Sequence, residues 1–298
     1  MKTHNKVALI TGGTDGIGRQ VALGLAQMGV NLILVGRSTE KAQTTLSTLH
    51  ATNPNIDVTF LQHDLSLMRE VKQLAETIQK QVDHLDIVVH CAGVMLSERT
   101  LTDEGLETVF AVQYLARYLL THDLLALCDD ARIINVSAGG NVNMALDFEN
   151  LNGEKSYDGV MALRQESVAN DMLTLDLNAK YPDIKIYCYG PGYVKTTLLR
   201  DMPKWFQAVS QLAGVFIGYM PAQAADDILT LINGDYPLGL YDRKIKQNHA
   251  RGFRIDEVNR ARLRTLSDEM IQNALNQRSQ RETNSRKSGI IDSPICSG

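Results

Sequence analysis

The segment Thr11-Gly12-Gly13-Thr14-Asp15-Gly16-Ile17-Gly18 follows directly on an apolar run at 7–10 and leads into Ile17, Val21 and Leu25 at four-residue spacing. A strand that enters a glycine-rich turn and leaves it as an amphipathic helix has few folds open to it. The glycines permit a tight turn and let backbone N–H groups approach a pyrophosphate at a helix N-terminus, where the local charge favours an anion. A glycine-rich match alone is equally met by an ordinary strand-to-helix turn. Its placement points instead to a dinucleotide site formed by Gly12, Thr14, Asp15, Gly16, Ile17 and Gly18.

The rest of the chain alternates short β-branched runs with longer helix-period segments, which implies parallel strands joined by crossover helices. Strands are predicted at 7–10, 31–35, 58–61, 87–90, 132–136 and 185–189, each a brief apolar run suited to burial on both faces. The expected fold is α/β, a Rossmann-type doubly wound parallel sheet in a single domain over 1–275. Between 197 and 221 the pattern breaks down, with Trp205, Phe206 and Phe216 interrupted by Pro203, Gly214 and Gly218, as expected of a substrate lid. After Leu275 the chain is too polar to offset its ordering entropy, so 276–298 is expected to be a disordered tail.

Composition excludes several function classes. A formal net charge of −4 gives no electrostatic case for nucleic acid or an anionic membrane. The apolar stretch at 212–220 is far short of the roughly 20 residues that span a bilayer. Cys91, Cys128, Cys188 and Cys296 are scattered without metal-type spacing, and no apolar signal segment precedes the first motif. The expectations are a cytoplasmic protein with no metal and a small apolar molecule as partner.

At the end of the second strand, where an NAD-selective site offers a carboxylate to the ribose, stands Gly36-Arg37-Ser38. Arg37 favours a 2′-phosphate, hence NADP(H) over NAD(H), unless it is a solvated surface arginine. After the third strand Asp64, beside Leu65, could accept from the adenine amine or cap the next helix.

These residues resemble the short-chain dehydrogenase/reductase family, and the match continues through Cys91-Ala92-Gly93 and Pro191-Gly192-Tyr193-Val194-Lys195-Thr196. Asn150-Leu151-Asn152-Gly153-Glu154, Val168-Ala169-Asn170 and the closing Ala261 to Ser267 segment are most similar to the retinol-dehydrogenase-like branch. The resemblance implies that Pro191, Gly192 and Val194 pass near a nicotinamide and that Thr196 bonds its carboxamide. It also implies pairing of copies into a homodimer or homotetramer.

The family's hydride chemistry uses an asparagine, a serine, a tyrosine and a lysine. Aligning on Val168-Ala169-Asn170 places the tyrosine and lysine at Leu163 and Ser167, counting back through Asn150 to Glu154 places the serine at Ala138, and the Phe110-Ala111-Val112-Gln113 helix puts Gln113 at the asparagine. Loss of a general acid typically costs about 100- to 10,000-fold in rate. Substitutes are few. Ser137 is expected to point away from the pocket, because residues alternate faces along a strand. Glu166 could reach the pocket edge as an acid, although a glutamate on an amphipathic helix is expected to be solvated. Tyr157 and Tyr193 could bring phenols from loops, and Cys91 reads as a packed thiol.

Three functions fit this pattern. The first is an atypical NADP-dependent reductase acting on an imine or activated alkene. The second is a non-redox cyclase or isomerase on the same scaffold, and the third a non-catalytic NADP(H)-sensing pseudoenzyme.

Overall fold

The computed structural model describes residues 5–205, 207, 218–248 and 256–288. Its centre is one eight-stranded sheet of order β3-β2-β1-β4-β5-β6-β7-β8. The strands are β1 (Val7–Thr11), β2 (Asn31–Gly36), β3 (Val58–Gln62), β4 (Ile87–His90), β5 (Arg132–Val136), β6 (Lys185–Gly190), β7 (Gly239–Asp242) and β8 (Lys246–Asn248). All neighbours pair in parallel except β7 with β8. The six apolar runs read from the sequence become β1 to β6. The last two strands were missed for a physical reason: β7 is four residues opening on a glycine, and β8 is the polar edge Lys-Gln-Asn, with no apolar run to betray it.

The helices are α1 (Gly16–Gln27), α2 (Thr39–Thr52), α3 (Met68–Gln81), α4 (Thr108–Phe110), α5 (Ala116–Leu124), α6 (Gly159–Lys180), α7 (Pro221–Asn233) and α8 (Glu257–Ser288). A π-helical turn, Ala111–Leu115, joins α4 to α5. Helix α8 continues past Leu275 into the stretch whose composition predicts disorder, and 289–298 lie outside the described residues. Part of the expected lid, 206 and 208–217, also lies outside them.

Strand residues alternate between two cores, as the two-residue period of a strand requires. Val7, Leu9, Val88 and Ile133 pack with α3, α5, α6 and α8. Ala8, Ile10, Val89 and Ile134 face α1 and α7 on the other side. The strand order reverses between β1, which leads outward to β2 and β3, and β4, which leads the other way. In such sheets the crevice at the carboxyl ends of the strands beside that reversal is where ligands bind.

Leu25 is fully buried between α1 and the sheet. Leu25→Ala is expected to lower the unfolding free energy by about 2–5 kcal/mol, read by urea denaturation; an unchanged midpoint would contradict this packing.

Candidate active site

A cavity of about 710 Å³ runs along the carboxyl ends of the central strands. One end is made by the glycine turn. Gly12 has φ +68°, and a Cβ there would meet the Ala92 backbone N at 2.8 Å. Gly16 also has a positive φ, +51°, at the start of α1. Gly12, Thr14, Asp15, Gly16 and Ile17 line the cavity, but Gly18 does not. A Cβ on Gly18 would lie 2.4 Å from the Gly12 carbonyl oxygen, so this glycine lets turn and helix pack rather than facing a ligand.

Arg37, Asp64, Leu65, Cys91, Ala92, Gly93, Pro191, Gly192, Val194 and Thr196 all line the same cavity. Asp64 Oδ1 accepts from Ser66 N at 2.9 Å, closing the turn before α3. Sequence reading missed Lys41. It stands one helical turn beyond Arg37 in sequence, lines the cavity, and pairs with Asp15. Asp15 caps α1 as well, accepting from Gly16 N at 2.7 Å. Close backbone approach at one end and two cations beside it suit a dinucleotide. Among the described residues no His, Cys, Asp and Glu cluster could hold a metal.

The other end of the cavity is chemically different. Leu163 and Ser167, where the resemblance assigns phenol and ammonium, both line it from α6. Leu163 packs against Val94, Val109 and Val112 as an apolar wall. The Ser167 hydroxyl lies 2.6 Å from the Leu163 carbonyl oxygen and 3.1 Å from Glu166 Oε1. Gln113 sits in the π-helical turn, a geometry frequent at functional sites. Its Oε1 accepts from Val94 N at 3.2 Å, while its buried Nε2 has no hydrogen-bond partner among the described residues.

Two sequence expectations are corrected here. The first concerns the serine position. Ser137, not Ala138, lines the cavity. Strand β5 ends at Val136, and the chain bends at Gly139, with φ +57°. The alternation rule therefore stops applying at Ser137, while the Ala138 carbonyl turns inward to accept from Asn141.

The second correction is Glu166, which is 4% exposed rather than solvated. Oε2 accepts from Asn170 Nδ2 at 2.8 Å and from Ser137 Oγ at 3.3 Å. Burial pushes its carboxyl up to about 7, against the pull of the Arg117 guanidinium and the three hydrogen bonds. Arg117 reaches the cavity from α5, is 3% exposed, and donates to the Ala92 carbonyl at 3.0 Å. Its Nε and Nη1 have no hydrogen-bond partner among the described residues. A charged residue in the apolar run Leu115-Ala116-Arg117-Tyr118-Leu119-Leu120 was the signal that could have found it.

The remaining candidates do not reach the chemistry. Tyr193 is outside the cavity lining, and no described tyrosine lines it. The Tyr157 hydroxyl donates to the Leu96 carbonyl at 3.3 Å. Burial pushes the Cys91 thiol up to about 12, so it stays protonated. Arg243, following β7, instead fixes the loop beneath the cavity. Its Nε donates to the Pro191 carbonyl at 2.5 Å and its Nη2 to the Tyr193 carbonyl at 3.0 Å.

Comparison with known proteins agrees with this geometry. The family model for short chain dehydrogenase matches residues 6–148. Mouse retinol dehydrogenase 11 is 32% identical over 219 residues, covering 71% of this chain and 68% of that protein. The chain belongs to the short-chain dehydrogenase/reductase family. Human retinol dehydrogenase 11 is 32% identical over 200 residues, 65% of this chain and 63% of that relative, so the match spans less than two thirds of its length. An alcohol dehydrogenase from the archaeon Thermococcus sibiricus, solved with 5-hydroxy-NADP, shares the fold: TM-score 0.64 at 18% identity, covering 80% of this chain and 95% of that one. Relatives of this short-chain dehydrogenase/reductase are oxidoreductases by name.

Glu166 also ties stability to pH. Burial holds its carboxyl up at about 7 in the fold against 4.5 in the unfolded chain, so the stability carried by its neutral form is complete below 4.5 and is lost as pH rises through 7. Glu166→Gln should remove that slope, gaining on the parent by up to about 1.4 kcal/mol per pH unit across the window. Urea midpoints over that range check it, and parallel pH profiles would contradict it.

Proposed function

We propose that this protein is an NADP(H)-dependent reductase of small apolar molecules whose reducible group is a C=N bond or an activated C=C bond. The observation that carries the reading is the pair Leu163 and Ser167, which line the cavity where the family's phenol and ammonium would act. Reducing a ketone creates an alkoxide that needs a proton as it forms, and a leucine has none to give. An iminium or electron-poor alkene already carries its electrophilic centre.

Bound reduced nicotinamide would supply the hydride. The chain's own residues do the rest. The glycine turn would hold the pyrophosphate on backbone N–H groups, and Pro191, Gly192, Val194 and Thr196 would flank the nicotinamide end. Arg37 and Lys41 present two cations to a 2′-phosphate. Leu163, Val94, Val112 and Leu198 give the substrate an apolar wall that excludes water. The retinol named in the relatives is itself an apolar molecule, which supports the same class of substrate here.

Wild-type protein is expected to consume NADPH with a cyclic imine or an enone and to reduce ketones and aldehydes poorly. A Leu163→Tyr, Ser167→Lys double variant should raise ketone reduction by about 100-fold or more, with Ser137 already in place. No wild-type turnover across imines and enones, or brisk wild-type ketone reduction, would overturn the reading. A binding experiment separates the two nucleotides. Arg37→Ala and Lys41→Ala should each weaken NADPH by about 10-fold, the worth of one charge-assisted contact, and leave NADH unchanged. Equal losses for both nucleotides in a fluorescence titration would remove the two cations from the 2′-phosphate.

A further inference from the structure

Among the described residues Glu166 is the one carboxyl group that lines the cavity from α6; Asp15, Asp64 and Asp201 line it from other segments. It occupies the helix position between Leu163 and Ser167, and its two oxygens are served from three directions: Ser167 and Asn170 on its own helix and Ser137 at the end of β5. A simple structural carboxylate in an apolar core is costly unless paired, and a charge buried without need is seldom retained. Here the carboxyl opens on the substrate space, with a cation close enough to feel it.

We infer that Glu166 is the acid of this site and that it protonates the nitrogen of a basic imine, with the Ser137 hydroxyl beside it at the cavity wall. The inference rests on the reductase reading and narrows it, from C=N or activated C=C to C=N. The proton balance is simple. The carboxyl O–H bond breaks and an N–H bond forms on the imine, giving an iminium and a carboxylate. The hydrogen and electron pair that then reach carbon come from reduced nicotinamide, and water reprotonates the carboxylate after the amine leaves. The carboxylate left by proton donation sits in the field of Arg117 and stabilises the iminium beside it.

The surroundings keep this acid near neutrality. Arg117 from α5 is the cation that favours its ionised form. The other titratable groups near Arg117 carry no charge: burial and Arg117 hold His90 on β4 down to about 3, and burial keeps the Cys91 and Cys188 thiols protonated. Asp171, further along α6, accepts from Gly140 N at 3.1 Å and bonds the Cys188 side chain, which helps hold that thiol protonated. A proton donor works best when its pKa lies near the working pH and near that of its acceptor, and a basic imine nitrogen meets that condition where a ketone oxygen does not.

Three measurements test the assignment. In carbon-13 NMR of glutamate-labelled protein, the resonance missing from Glu166→Gln should titrate near neutral pH and move up in Arg117→Met; a midpoint in the ordinary carboxylate range overturns the inference. With a cyclic imine and NADPH, wild-type kcat should fall above about pH 7, while Glu166→Gln should lose about 100-fold or more and show no such limb. Glu166→Asp should keep part of the rate. Unchanged kinetics in Glu166→Gln, or wild-type turnover of enones but not imines, sinks Glu166 as the acid and leaves the reductase reading standing. If wild type turns over neither, that reading falls, and calorimetry with a cyclic secondary amine decides the residue on its own. Binding lost in Glu166→Gln keeps Glu166 as the group that meets nitrogen; equal affinity overturns it.

Discussion

Three backbones meet at the mouth of the first turn with no side chain between them. Gly12 lies against the Ala92 backbone, and Gly18 lies against Gly12 itself. Any Cβ at these points would push β1, α1 and the loop after β4 apart. The junction fixes the crevice at the reversal of strand order, and every other element of the site is placed relative to it. A sheet with this order needs such a contact somewhere, because α1 must start close to the strand ends for its N-terminus to face the ligand space.

From that junction the cavity separates into two chemistries. Its nucleotide end is backbone, glycine and cations, a surface that reads charge and shape. The opposite end is hydrocarbon from α6 and the π-helical turn, interrupted by a buried acid and a buried base. On the proposed reading the two ends differ in role: the residues proposed to hold a dinucleotide line one end of the cavity, while the proposed reacting wall is built around Glu166 and Arg117. Those two residues make sense together, because an arginine alone in this core would lack compensation and a glutamate alone would be driven fully neutral.

Sequence reading found the parts governed by local rules. Six strands announced themselves as short apolar runs, though β3, at the edge of the sheet, is not buried on both faces as its sequence suggests; the glycine turn did so by its spacing, and Arg37 by its place after β2. What it missed lay beyond local rules. Ser137 was assigned to the wrong face because alternation was carried one residue past the end of β5. Glu166 reads from the sequence as a solvated helix residue, but its helix is largely buried, a property set by α4, the π-helical turn, α8 and the sheet rather than by α6. Lys41 and Arg117 gain their meaning only from the distant segments that surround them. Strand β8, polar throughout, exists because β7 offers it an edge.

That edge reaches the centre of the molecule. Arg243 leaves β7 and grips two carbonyls of the loop that carries Pro191 and Gly192, and Gly192 can adopt φ +64° under the guanidinium because it has no Cβ to collide with it. Edge strands are where a sheet opens first. In this protein, fraying of the outermost hairpin would slacken the floor on which the nicotinamide end of the ligand rests, so the molecule's most peripheral pairing sets how firmly its interior is held.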